Sequence, residues 1–185
     1  MPILLGVAVV VGLWVMGTYN SLVRKRTMVS EGWSGIETQL KRRANLIPNL
    51  VETVKGYAAH ERQALEAVTA MRTRAGEAGT VAERAQAEQA LTGAIGRLMA
   101  VAESYPDLKA NQNFLGLQSD LGKLEDEIQL ARRYYNGTVR DLNISVQSFP
   151  SNTIAGPFGF KTAEFFEIED AAERAVPKVS FEKTA

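Results

Sequence analysis

From residue 29 onward the apolar positions of this chain recur in steps of four and three. Val29, Trp33, Ile36 and Leu40 open the pattern, and Ile47, Leu50, Val54, Leu65 and Val68 resume it in phase. That spacing places one apolar stripe along one side of an α-helix. Pro48 falls inside the series, a residue without an amide proton whose ring crowds the preceding turn. Two readings follow. Asn45 is a good N-cap and proline is tolerated in a first turn, which predicts a reversal over 44–47 and two helices. The continuous apolar phase suits instead one helix kinked at Pro48. The capping signals favour the break. The break gives an antiparallel four-helix bundle and the kink gives three long helices.

Further on, Gly76 and Gly79 flank a turn, and Thr80-Val81-Ala82-Glu83 reads as a capping box. The helix that follows, to about Ser104, is rich in alanine, and Gly93 and Gly96 predict close packing on its neighbours. Tyr105-Pro106 predicts the start of the strongest helix, with proline at a first helical position. Phe114, Leu117, Leu121, Leu124, Ile128 and Ala131 form its seam, and Tyr135, Val139, Leu142 and Val146 continue it after one shift. That is a coiled-coil-like stripe with a single stutter. Some forty residues of helix would be roughly 60 Å long. One end is expected to project past its partners.

The first segment follows another rule. No charge occurs from Pro2 to Val23, and Ile3, Leu4, Leu5, Val7 to Val11, Leu13, Trp14, Val15 and Met16 make it apolar on all sides. About twenty helical residues reach about 30 Å, the hydrocarbon thickness of a bilayer. A cleaved signal peptide would carry a basic start and a small-residue cleavage site, and Tyr19-Asn20-Ser21 is a poor one. A buried core helix would be shorter or polar on one face. Residues 1–23 are therefore expected to be a transmembrane anchor. Arg24, Lys25 and Arg26 follow it directly, and the positive-inside rule puts them in the cytoplasm and the short N-terminus outside. Residues 24–148 form the predicted bundle.

Past Phe149-Pro150 the texture changes again. Ser151, Asn152, Gly156, Pro157 and Gly159 oppose a long helix, whereas Phe158, Phe160, Phe165 and Phe166 call for burial. Residues 149–185 are expected to form an extended aromatic and acidic tail. The four phenylalanines are its candidate interaction residues, with docking on a neighbouring copy favoured over docking on the same chain. Glu164, Glu167, Glu169, Asp170 and Glu173 are its acidic cluster, for which Lys41 to Arg43 are candidate partners.

Composition narrows the chemistry. Lysine and arginine number 21, balanced by 21 aspartates and glutamates, so no charge excess points to nucleic acid. With no cysteine there is no disulfide or thiolate zinc site. His60 is the single histidine, too few for the paired Glu-x-x-His motifs of a di-iron bundle, and it starts no zincin motif. No phosphate-binding or nucleophile-elbow motif occurs. Lys41, Arg42 and Arg43 read as a solvated or internally paired helix face, and Arg132 and Arg133 as solvent-facing beside the seam residue Tyr135. The sequons at Asn136 and Asn143 lie within a predicted helix and read as chance.

Several segments, in order along the chain, resemble the LemA family. They are Tyr19-Asn20-Ser21-Leu22-Val23, Gln39-Leu40-Lys41-Arg42-Arg43, and Ile47-Pro48-Asn49-Leu50-Val51-Glu52-Thr53-Val54-Lys55-Gly56-Tyr57. Tyr105-Pro106-Asp107-Leu108-Lys109-Ala110-Asn111, Ala131-Arg132-Arg133-Tyr134-Tyr135-Asn136 and Phe149-Pro150-Ser151-Asn152 complete them. Asn45 departs from the aspartate common there, and either residue caps a helix. The resemblance implies a bacterial inner-membrane protein with its N-terminus outside and its helical bundle in the cytoplasm, and it carries no catalytic residue onto this chain.

The expected function is a membrane-anchored, self-associating scaffold without enzymatic activity or cofactor. Its partners are the lipid bilayer, further copies of itself and a membrane protein. The alternative is an adaptor that recruits one partner, such as a membrane protease, through the tail.

Overall fold

The structure, a computed structural model, describes residues 1–167. Six helices follow one another: α1 (Pro2–Lys55), α2 (Arg62–Glu77), α3 (Val81–Ala102), α4 (Pro106–Lys109), α5 (Gln112–Gln147) and α6 (Asn152–Ala155). There is no strand among the described residues. α1 and α5 lie antiparallel: Arg43 meets Glu125, Gly32 faces Tyr135 and Lys25 donates to Ser145. The expected project-and-partner relation is reversed. α5 is matched along its length by α1, and the element that projects is α1, through its apolar N-terminal run.

α2 and α3 make a second antiparallel hairpin on the end of this pair far from the apolar run. Their apolar faces join Ile47, Leu50, Val54, Phe114 and Leu121 in the largest core, with Leu65, Val68, Leu91 and Leu98 fully or nearly buried. Two smaller cores continue toward the apolar run. The middle one holds Ile36, Leu40, Ala85, Ile128, Tyr135, Val139 and Phe166. The last holds Leu22, Ile154, Ala155 and Phe160. Along α5 the buried positions Phe114, Leu121, Leu124, Ile128, Tyr135, Val139 and Leu142 follow the seam the sequence predicts.

The expected break at Pro48 does not occur. α1 is one helix of 54 residues with Pro48 inside it. A proline at this position deprives the carbonyl of Ala44 of its i+4 donor. Arg72 of α2 supplies a replacement, its Nε–H donating to the Ala44 carbonyl at 2.8 Å. The missing hydrogen bond is thus made from a neighbouring helix. Asn45, the expected cap, is exposed in mid-helix.

One further boundary and one packing contact differ from expectation. Pro106 opens only the single turn α4, and α5 begins after Asn111, whose side-chain oxygen accepts from the amides of Asn113 and Phe114 at 2.9 and 3.1 Å. Tyr105 and Leu108 turn back onto the core between these caps, so the helix cannot run through. Gly93 and Gly96 do not mark close packing either: a Cβ built on either meets nothing within 4 Å. Gly96 borders an open groove of about 240 Å³ between α3 and α5, which Met99, Leu121 and Gly122 also line. The close approach is at Gly32 instead, where a Cβ would lie 3.2 Å from the Tyr135 backbone. The capping box at Thr80 and Glu83 forms as predicted, and the backbone bonds from Thr80 and Gly79 hold the Glu83 carboxyl below its ordinary pKa.

The repair at Pro48 predicts a coupled pair. Arg72→Ala should cost on the order of 1–2 kcal/mol, because it strips the replacement donor from a half-buried carbonyl. Pro48→Ala restores the amide, so Arg72→Ala should cost clearly less in that background. A urea double-mutant cycle that finds the two changes additive would show that the Arg72 bond does not compensate for the proline.

Candidate functional site

The polar and aromatic features that the aliphatic core does not account for fall into three places along α1. The first lies where the apolar run ends. After α5 the chain passes a cis Phe149–Pro150 peptide and the short turn α6, then reverses at Gly159 with φ +70°. The Phe160 amide donates to the Ala155 carbonyl at 2.9 Å and the Gly159 amide to the Gly156 carbonyl at 3.0 Å. This is the double closure of a Schellman turn, whose left-handed residue suits glycine. Phe160 is thereby turned inward onto Leu22, Ile154 and Ala155. Its ring meets Tyr19 edge-on at 5.6 Å, and the Arg26 guanidinium sits over it at 5.1 Å. Phe158 points the other way, exposed but with its ring 5.1 Å from Tyr19. Arg24 and Arg26 are exposed, while Lys25 is tied to Ser145.

The second is an extended strap, residues 161–167, that returns along α1 and α5. Two asparagines of α5 hold it, seven residues apart and so on one helix face. Asn143 accepts from the Ala163 amide at 2.8 Å and donates to the Ala163 carbonyl at 3.0 Å. Asn136 does the same for Phe166, at 2.9 and 3.2 Å. Between them the Tyr135 hydroxyl donates to the Glu164 carbonyl at 2.8 Å. Burial, with the Glu164 charge adding to it, raises the Tyr135 pKa and keeps this donor protonated. Phe166 is fully buried against Trp33 and Tyr135, and Arg132 lies over its ring at 5.6 Å.

Docking on a neighbouring copy is therefore not how Phe160 and Phe166 are covered, because this chain buries both. Only Phe158 and Phe165 remain exposed. Arg132, expected to face solvent, is half-buried over Phe166. Glu169, Asp170 and Glu173 of the acidic cluster lie outside the described residues.

The third place is a charged group inside the bundle. Arg43 occupies the seam position between Leu40 and Ile47, and both it and Glu88 of α3 are only 3% exposed. Arg43 Nη2 donates to Glu88 at 2.5 Å, and Nη1 donates to Glu125 of α5 at 2.6 Å and to the Thr92 hydroxyl at 2.9 Å. Arg84 pairs with the other Glu88 oxygen at 2.9 Å. Two cations and two anions balance. Arg42 pairs with Glu127 at 2.8 Å, so Arg42 and Arg43 are engaged within the bundle and do not wait for the tail.

Internal pairing, one of the two expected readings of the basic run, holds for Arg42 and Arg43, and the sequence carries a further signal for Arg43, Asn136 and Asn143. Arg43 keeps the four-three spacing, and the two asparagines keep a heptad spacing beside the seam. Among the described residues no group of three His, Cys, Asp or Glu side chains is placed to hold a metal ion. His60 is exposed in the turn between α1 and α2.

The sequence is similar to known proteins over most of its length. The model of the LemA family matches residues 32–181. A magnetosome protein MamQ 2 of Paramagnetospirillum magneticum is 29% identical over 184 residues, 85% of this chain and 68% of that protein. Magnetosome protein MamQ of Magnetospirillum gryphiswaldense is 26% identical with the same coverage of each chain. Protein LemA of Metamycoplasma hominis is 24% identical over 156 residues, covering 84% of this chain and 71% of that protein.

The buried group makes a direct prediction. Arg43→Met leaves Glu88 with less than its charge requires in a dry position and should cost about 3–5 kcal/mol. Adding Glu88→Leu should recover most of that loss. Urea unfolding of the wild type and the two variants checks it; a single change that costs no more than the double would mean Arg43 does not hold Glu88 in place.

Proposed function

The chain belongs to the LemA family, and we propose that it is a membrane-anchored helical scaffold that self-associates and organises membrane or envelope partners. One observation carries this reading. α1 is at once the candidate membrane span and the first strut of the bundle, without an intervening hinge. The span has no part of its apolar window buried inside the protein. A rigid continuation of that kind transmits position from a bilayer to the far end of the bundle. The relatives named as magnetosome proteins support a role attached to a particular cellular structure. No catalytic residue and no cofactor form part of the proposal.

Self-association has its own support. Leu130 and Tyr134 lie one turn apart on α5, both more than half exposed and away from the seam. Full-length protein in mild detergent should run by light scattering as an assembly, and Leu130→Lys with Tyr134→Lys should shrink it. A wild-type monomer would overturn the self-association. The adaptor alternative draws on the exposed Phe165 in the strap. Capture of a membrane partner that requires residues 149–185, with assembly size unchanged by their loss, would favour it.

The proposed orientation draws on Arg24, Lys25 and Arg26, which by the positive-inside rule favour a bundle on the cytoplasmic side of a bacterial inner membrane. A C-terminal alkaline phosphatase fusion is expected to be inactive. Phosphatase activity from that fusion would reverse the topology.

A further inference from the structure

The end of the bundle nearest the apolar run carries aromatic surface that the core does not use. Phe149 is 82% exposed and Phe158 is 55% exposed. They bracket α6, and the Gly159 turn sends Phe158 outward while it pegs Phe160 onto α1. The level of this surface is fixed by the contact of Phe158 with Tyr19. Tyr19 precedes Arg24 by five residues, or about 7.5 Å along a helix, on the apolar side of the first charge. Segments that lie in a bilayer interface bury their apolar face by about 5–10 Å. The two depths match.

Charge at the same level is one-sided. Arg24, Lys25, Arg26, Arg140 and Lys161 surround this end, with Asp141 as the acid among residues 19–29 and 140–161. Arg24, Arg26, Arg140 and Lys161 are exposed. Aromatic rings at the boundary below a basic collar are the arrangement that suits anionic headgroups over acyl chains.

We infer that residues 149–160 form an interfacial foot, whose Phe149 and Phe158 rings enter the same membrane leaflet from which α1 emerges. The basic collar meets the anionic headgroups there. The inference rests on α1 spanning that membrane, as proposed above. The occupant is lipid because the exposed Phe158 ring meets Tyr19 at the end of the span's apolar surface. A foot fixed to the second helix of the pair gives the bundle two attachments to the bilayer, which restrains its tilt.

The chain has no cysteine, so single cysteines accept a spin label without background. The full chain is reconstituted in vesicles of phosphatidylethanolamine and phosphatidylglycerol, with labels at Val10 in the span, Asn152 in the foot and Asp126 in mid-bundle. At Asn152, accessibility to a water-soluble nickel chelate should fall about threefold below that at Asp126, and accessibility to oxygen should rise, as in an interface. Phe149→Ser with Phe158→Ser should return Asn152 to the values at Asp126, with circular dichroism unchanged.

An Asn152 label as open to nickel as Asp126, while Val10 remains shielded, overturns the foot and leaves the anchor. A label shielded from nickel and oxygen alike would lie against protein, which overturns lipid as the occupant. An exposed Val10 label removes the anchor, and the foot with it.

Discussion

A charged side chain at a core position sets the register of this bundle. Arg43 stands where the four-three spacing calls for an aliphatic residue, and in a dry seam an unpaired guanidinium would be strongly destabilising. It is tolerated only where Glu88, Glu125 and Thr92 converge, which means α1, α3 and α5 fit together at one mutual height. A slip of α5 by one turn would move Glu125 about 5.4 Å and leave the charge without that partner. Leucine and isoleucine pairs along the rest of the seam would accept such a slip with less loss. The node thus contributes specificity more than stability, as single polar residues do at coiled-coil seams.

The next residue in the chain takes part in a second link of the same kind. Ala44 offers the carbonyl that Pro48 leaves without a donor, and Arg72 of α2 answers it. Arg43 binds α3 and Ala44 binds α2, so the whole α2–α3 hairpin is held to α1 through two adjacent positions. The hairpin in return keeps α1 helical through its proline. Had the chain reversed at Pro48, the far third of the bundle would be joined to the apolar run by a loop. The exchange of one local hydrogen bond for one long-range bond is what makes α1 a single strut.

This also explains which parts of the fold were legible in the sequence. The seams of α1 and α5 and the capping box at Thr80 depend on residues near in sequence, and periodicity and capping reveal them. The continuity at Pro48 depends on Arg72, 24 positions away, and no local rule contains it. At Tyr105 and Asn111 two good start signals compete, and burial of Leu108 decides for the second. The aromatic tail announced a need for burial, yet the surface that meets the need exists only once α1 and α5 are paired. Asn136 and Asn143 look like sequons in one dimension and become strap clamps in three.

The strap answers a difference in length. α1 and α5 run together well beyond the α2–α3 hairpin, and a pair of helices alone leaves one side of its seam open to water. Between Ala85 and the apolar run that opening would expose Trp33 and Tyr135. Phe166 closes it, in the same cluster as Ala85, and Phe160 closes the last gap beside Leu22. The core therefore continues from the far end of the bundle to the start of the apolar run, covered first by helices and then by an extended segment. Asn136 and Asn143 supply that segment with the backbone hydrogen bonds that a helix would have made internally. Phe160 and Phe166 serve to complete the fold, which leaves the outward-facing rings of the same region free for contacts beyond the chain.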